Sequence, residues 1–353
     1  MIPYGRQDIR PQDIDQVVEV LRSDFLTQGP RVPVFEAMVA GAVGAAHAVA
    51  VNSATSALHI ACMALELGPG DLLWTSPITF VATANVGRLC GADVDFVDIQ
   101  AETFNMDPEA LAQKFAVAAR ADRLPKVLIP VHMGGQSCDM AAIGALARQY
   151  NVRVIEDASH AIGGRYRGDA VGACRHCDVT VFSFHPLKTV TTAEGGVATT
   201  NDAHLAEKMS LYRSHGVTRD PSLMQEKSDG DWYYEQVEIG LNYRMTELQA
   251  ALGCAQMARL ADYVARRNAL ADHYDRALGD MALKCPGRQD DTRSAFHLYV
   301  IRVAAARRRA VFDTLRAAGI GVNVHYIPVH LQPYWRALGF EAGMYPVAEA
   351  YYA

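Results

Sequence analysis

Between Ala48 and Phe184 short apolar runs alternate with helical stretches, and that alternation leaves few folds open. Ala48–Val51, Asp71–Thr75, Val94–Val97, Lys126–Val131, Val152–Ile155 and Val179–Phe184 read as strands. Helical patterns fill the intervals at 57–65, 80–89, 108–119 and 140–150. Strands this short and this apolar, separated by helices, form a mostly parallel sheet covered on both faces. An α/β fold is therefore predicted. A last short strand follows at Val197–Thr200, with long helices from Asp202. In front of the alternating region a helix over Pro11–Arg22 leads through the polar loop Ser23–Pro30 into a helix over Val32–Val43. Behind it, one helical stretch from Thr246 to Leu278 is expected to link a large domain, 1–250, to a smaller α+β domain, 251–353. The smaller domain should hold a strand at His297–Val303, a helix at Ala306–Ala318 and a loop at His325–Tyr334.

Composition removes several classes of function. The chain has 353 residues, half of them apolar, which is ample for more than one core. A formal charge of -6 argues against a nucleic-acid partner but leaves small phosphorylated ligands open. No stretch reads as a signal peptide or membrane span, so a cytoplasmic chain is expected. Seven irregularly spaced cysteines read as reduced thiols. Cys174-Arg175-His176-Cys177 is a lone CxxC without a second ligand pair, and no metal site is expected. Neither GxGxxG nor GxxxxGK[ST] occurs in a strand–helix context, which disfavours a nicotinamide or nucleotide-triphosphate enzyme.

The chemistry gathers at strand ends, where ligands of open α/β sheets collect. The strand ending at Phe184 runs through His185-Pro186-Leu187 into Lys188, and Ser183 lies just before it. The Val152–Ile155 strand ends in Glu156-Asp157. A lysine and a carboxylate delivered this way suit pyridoxal 5'-phosphate: the amine forms a Schiff base with the aldehyde, and the carboxylate holds the ring nitrogen protonated. Asp157, short and rigid, is chosen over Glu156 for that contact, although a strand-end aspartate also serves as a helix cap. His160 is expected to support Asp157 by a hydrogen bond, with a buried structural histidine as the alternative. Asn52-Ser53-Ala54-Thr55-Ser56, between a strand and a helix, offers amides plus the hydroxyls of Thr55 and Ser56 to a phosphate, or simply caps the helix. Phe80, after Thr75-Ser76-Pro77-Ile78-Thr79, is placed either to stack on a cofactor ring or in the core.

Together these segments resemble the DegT/DnrJ/EryC1/StrS sugar aminotransferases. The strings that carry the likeness are GPRVPVFE (29–36), NSATSALH (52–59), TSPITFVATAN (75–85), EDASHAIGG (156–164), FSFHPLKTVTTAEGG (182–196), RSHG (213–216) and GLNYRMTELQAALG (240–253), in family order. IPYGRQDI (2–9), RSDFLTQGP (22–30), IPVHMGGQSCDM (129–140) and VNVHYIPVHLQPYW (322–335) point to the pseudaminic acid subgroup. The resemblance implies fold type I, aspartate aminotransferase-like, with pyridoxal phosphate as cofactor. It also implies transfer of an amino group from L-glutamate to C4 of a UDP-4-keto-6-deoxy-N-acetylhexosamine. By the same resemblance Lys188 is the Schiff-base lysine, Asp157 meets the ring nitrogen and Phe80 stacks on the ring. Thr55, Ser56 and Ser183 hold the phosphate, and Asn242 reaches the phosphate of the partner in a homodimer. His160 fills a place where the wider family often has glutamine. Thr27, Gln28, His325, Tyr326 and His330 fall in loops expected near the sugar nucleotide. Dehydratases of the same fold carry histidine where this chain has Lys188. The resemblance further implies a small domain that continues past Ala353.

Overall fold

The computed structural model describes residues 1–353. Seven strands form one sheet. From edge to edge they run His47–Val51, Gly196–Thr200, Val179–Ser183, Arg153–Asp157, Val127–Ile129, Leu72–Thr75 and Asp93–Phe96. Only Gly196–Thr200 runs against the others, pairing antiparallel with both neighbours. Successive strand residues face opposite ways, and the packing on the two faces of the sheet follows that rule. Leu73, Ile129, Ile155 and Val181 face the helices Ala54–Ala64, Ala82–Leu89 and Ala203–Tyr212. Trp74, Leu128 and Val154 face Pro108–Arg120 and Met140–Gln149, while Ala50, Phe182 and Val197 face Arg31–Val43 and Glu247–Met257. Each fully buried large apolar side chain contributes roughly 1.5–3 kcal/mol.

The N-terminal loop is fixed by an acid from far along the chain. Buried Glu247 accepts from the amides of Arg31 (2.6 Å) and Val32 (3.2 Å), satisfying the free N–H groups of the Arg31–Val43 helix. Its own amide donates to the Leu26 carbonyl, and Thr27 bridges to Thr246. The Pro11–Leu21 helix is tied down by Asp13, which is wholly buried. Both Asp13 oxygens accept from Arg259 Nη2, at 2.9 and 2.7 Å, and Oδ2 also accepts from Gln256 at 2.8 Å. Removing one partner leaves a buried charge uncompensated. Arg259→Ala, which strands the buried Asp13 carboxylate, is therefore expected to lower stability by about 3–5 kcal/mol, read from the midpoint of urea unfolding; an unchanged midpoint would show the pair is idle.

Several expected boundaries move for physical reasons. The helix expected from 57 begins at Ala54, because Ser53 Oγ accepts from the Ser56 amide and caps it, so Thr55 and Ser56 lie in its first turn. The helix expected from Phe80 begins at Ala82, which leaves Phe80 in the preceding loop. The single helix expected over Thr246–Leu278 is two, Glu247–Met257 and Leu260–Leu278, broken where Arg259 turns to bind Asp13. The 250/251 boundary falls inside the first of these. Only the Ala203–Tyr212 helix follows Asp202 before the chain becomes irregular. The strand expected at His297–Val303 is reduced to one bridge, Lys284 to Arg302. A lone pair without further strands gains too little to form a ladder.

Candidate active site

The C-terminal ends of the parallel strands lie along one edge of the sheet. Val51, Gly196 and Ser183 form a single cross-strand row there. Glycine is required in that row. A Cβ on Gly196 would stand 2.4 Å from the Ser53 carbonyl and 2.5 Å from the Ala54 nitrogen. Its absence lets the start of the Ala54–Ala64 helix close on the Ser183 strand end. Thr55 and Ser56 lie in that first turn, where the Ser56 amide already donates to Ser53 Oγ at 3.1 Å. Ser56 Oγ is oriented by Asn52 Oδ1 at 2.6 Å.

Asp157 closes the Arg153–Asp157 strand and is buried. Oδ1 accepts from the Ser159 amide (3.1 Å) and hydroxyl (2.6 Å), and Oδ2 accepts from Thr83 Oγ1 at 2.7 Å. Glu156, one residue earlier, points to the other face and binds His132 Nε2 at 3.0 Å. The bond expected between His160 and Asp157 is not formed. Ser159 takes Oδ1 through a local turn, and His160 looks elsewhere. Its Nδ1 accepts from the Gly134 amide at 3.3 Å, so in the neutral ring Nε2 carries the proton toward Tyr326 Oη at 3.4 Å.

Lys188 follows the turn His185-Pro186-Leu187, closed by its amide on the His185 carbonyl at 2.9 Å. Burial lowers its pKa to about 8, against the opposing pull of Asp157. Three histidines share its surroundings. Burial first, and then the Lys188 charge, hold His160 and His297 well below the usual imidazole range and His325 at about 4. All three are neutral near pH 7, so Lys188 is the cation of the group. His297 stacks near His160, with ring centroids 4.5 Å apart. His325 Nε2 lies 2.8 Å from Tyr4 Oη, which brings the N-terminal arm to the site.

The other expected residues divide. Phe80 is 61% exposed, which removes the core alternative and leaves its ring free. Thr27 and Gln28 are exposed on the N-terminal loop. Asn242 is exposed as well; its carbonyl accepts from Asn52 Nδ2 of the same chain at 3.4 Å. His330 does not join the Lys188 group: it is fully buried, bonded to Glu349 Oε1 at 2.9 Å and packed on Tyr345. Sequence reasoning missed Thr83, Ser159, His297 and Tyr4. The Thr79/Thr83 spacing of one helical turn was the available signal for Thr83; the others had none.

Comparison with known proteins agrees with this geometry. The DegT/DnrJ/EryC1/StrS aminotransferase family matches residues 7–353. The spore coat polysaccharide biosynthesis protein SpsC of Bacillus subtilis is 41% identical over 358 residues, covering 99% of this chain and 90% of its own. The UDP-4-amino-4,6-dideoxy-N-acetyl-beta-L-altrosamine transaminase of Campylobacter jejuni is 35% identical over 342 residues, covering 96% and 87%. Spr1654 of Streptococcus pneumoniae has been solved in PLP and PMP forms. Its PMP form superposes with a TM-score of 0.91 at 32% identity, over 100% of this chain and 92% of that one. The residues present here fit such a cofactor: a helix start drawn against the sheet edge where a Cβ at Gly196 would collide with it, a lysine with a lowered pKa, and a carboxylate met by donors alone. The chain belongs to the DegT/DnrJ/EryC1/StrS family and is an aminotransferase that uses pyridoxal phosphate.

Proposed function

We propose that the enzyme moves the amino group of L-glutamate to C4 of UDP-2-acetamido-2,6-dideoxy-β-L-arabino-hex-4-ulose, giving UDP-4-amino-4,6-dideoxy-N-acetyl-β-L-altrosamine. The observation that carries this reading is the 35% identity to the Campylobacter jejuni transaminase of that name over nearly the whole chain. Identity of 41% to SpsC, a relative named for spore coat polysaccharide biosynthesis, keeps a second reading beside it: an aminotransferase for another nucleotide-linked 4-keto-6-deoxy sugar, of the UDP-D-sugar or GDP-perosamine type. Offering UDP- and GDP-4-keto sugars with glutamate, and assigning the product at C4 by NMR, separates the two. Faster turnover of a D-configured or GDP-linked ketose would overturn the first.

Bound pyridoxal phosphate supplies an aldehyde that exchanges amino groups and a ring that withdraws electrons from the substrate carbon. The protein does the rest. Ser183, Thr55, Ser56 and the amides of the Ala54–Ala64 helix hold the phosphate. Asp157 holds the proton on the ring nitrogen. Phe80 would stack on the ring, and His160 would line the cofactor site. Lys188 carries the covalent link and, once freed, moves the proton at the reacting carbon. A pKa of about 8 keeps a useful neutral fraction for that task. Thr27, Gln28, His325 and Tyr326 face the sugar nucleotide.

Asn242 is proposed to complete the phosphate site of a second copy, so that a homodimer has composite sites. Its exposed side chain supports this, while the carbonyl contact to Asn52 favours service to its own chain. Co-expressing Lys188→Ala with Asn242→Ala decides between them. In a mixed dimer one site is intact and the other carries both defects. With random assortment about a quarter of all sites would be intact, and activity should return toward that fraction of wild type. Mixed dimers that stay at the parental level would assign Asn242 to its own chain.

A further inference from the structure

We propose that Thr83 is a positioning residue for the reaction: its hydroxyl fixes Asp157 Oδ2 as the oxygen that faces the cofactor, and it links the Phe80 loop to that carboxylate. The inference rests on the assignment of Asp157 to the ring nitrogen and adds the group that aims it.

Counting donors and acceptors leads there. Each carboxylate oxygen accepts about two hydrogen bonds. Oδ1 has two, both from Ser159, and is filled. Oδ2 has one, from Thr83 at 2.7 Å, and keeps one acceptor position open. The open position is the one left for a ring N–H. Thr83 has a single proton, and a short bond to a charged acceptor is the strongest use of it. Its oxygen then accepts from Thr79 Oγ1 at 2.8 Å, so the protons run one way, Thr79 to Thr83 to Asp157. Thr79 and Thr83 are 3% and 1% exposed, so water does not compete for these bonds.

The two threonines also bracket Phe80. Thr79 immediately precedes it, and the Thr83 amide donates to the Phe80 carbonyl at 3.2 Å. The loop that sets the exposed Phe80 ring and the carboxylate are therefore held by one pair of hydroxyls. Thr83 lies on the Ala82–Leu89 helix and Asp157 on a strand end, so the pair is tertiary, not a local turn.

Thr83→Val keeps the shape and removes the hydroxyl; Thr83→Ser keeps the hydroxyl and removes the methyl. For the Val variant, the dissociation constant of pyridoxal phosphate, measured by fluorescence titration of the apoenzyme, is expected to rise about tenfold. The pH dependence of the cofactor's visible band should shift with it. Turnover in the glutamate half-reaction should fall by a similar factor with KM for glutamate unchanged. The Ser variant should recover both affinity and spectrum. Wild-type affinity and spectrum in the Val variant, in an enzyme that Asp157→Asn cripples, would overturn the role of Thr83 while leaving Asp157 in place. A Ser variant as impaired as Val would also overturn it, since packing of the methyl would then be what matters. Neither readout depends on which sugar is the acceptor.

Discussion

Lys188→Ala is expected to give a folded chain that binds pyridoxal phosphate without a covalent link and has no measurable transamination. Loss of proton transfer alone removes roughly 10²–10⁴-fold, and loss of the covalent link adds to it. Borohydride reduction of the wild-type holoenzyme, followed by peptide mass spectrometry, should place the label on Lys188; a label on any other lysine overturns the assignment. The same trap reports pH. Burial disfavours the ammonium and brings the pKa down to about 8, so the nucleophilic neutral amine gains as pH rises through that value. Covalent loading of the apoenzyme should accelerate between about pH 7 and 9 and then level. A rate flat across that window would mean the amine titrates elsewhere.

Asp157→Asn is the second large effect. The substitution keeps size and most of the hydrogen-bond geometry, since an amide oxygen can still face Ser159 or Thr83. It removes the charge that holds a proton on the ring nitrogen. Turnover should fall by roughly 10²-fold or more at saturating cofactor, with a smaller loss of cofactor affinity. A near-normal kcat would reduce Asp157 to a local cap of the turn that follows it.

How much of this was legible in the chain depends on distance along it. The strands and their alternation were readable, because period and burial are properties of short segments. That Glu156 and Asp157 face opposite ways was readable too, since adjacent strand residues must, whereas the choice of Asp157 rested on its short, rigid side chain. Contacts between distant segments were not. Thr83 and Asp157 meet across the sheet edge, and nothing local to either announces the other. The helix expected over Thr246–Leu278 breaks at Arg259, whose partner Asp13 lies near the start of the chain, where no neighbour announces it. His330 sits in a loop string that suggested substrate, yet Glu349 and a pocket of aromatic rings claim it. Asn242 shows the same limit: its neighbour within the chain is visible, and its use is a question of assembly.

The order of strands also governs how the enzyme must be made. His47–Val51 leaves the ribosome first, but its partner in the sheet is Gly196–Thr200, and Gly196–Thr200 also pairs with Val179–Ser183. At about 5–20 residues per second, the first strand waits on the order of ten seconds for a neighbour. Through that interval its backbone edge has no partner strand. Nascent chains stalled before Gly196 should therefore be bound by chaperones or aggregate, whereas chains stalled well beyond Thr200 should resist protease across the sheet. The same late-arriving glycine lets the start of the Ala54–Ala64 helix approach the Ser183 strand end, so the last pairing of the sheet and that approach arrive together.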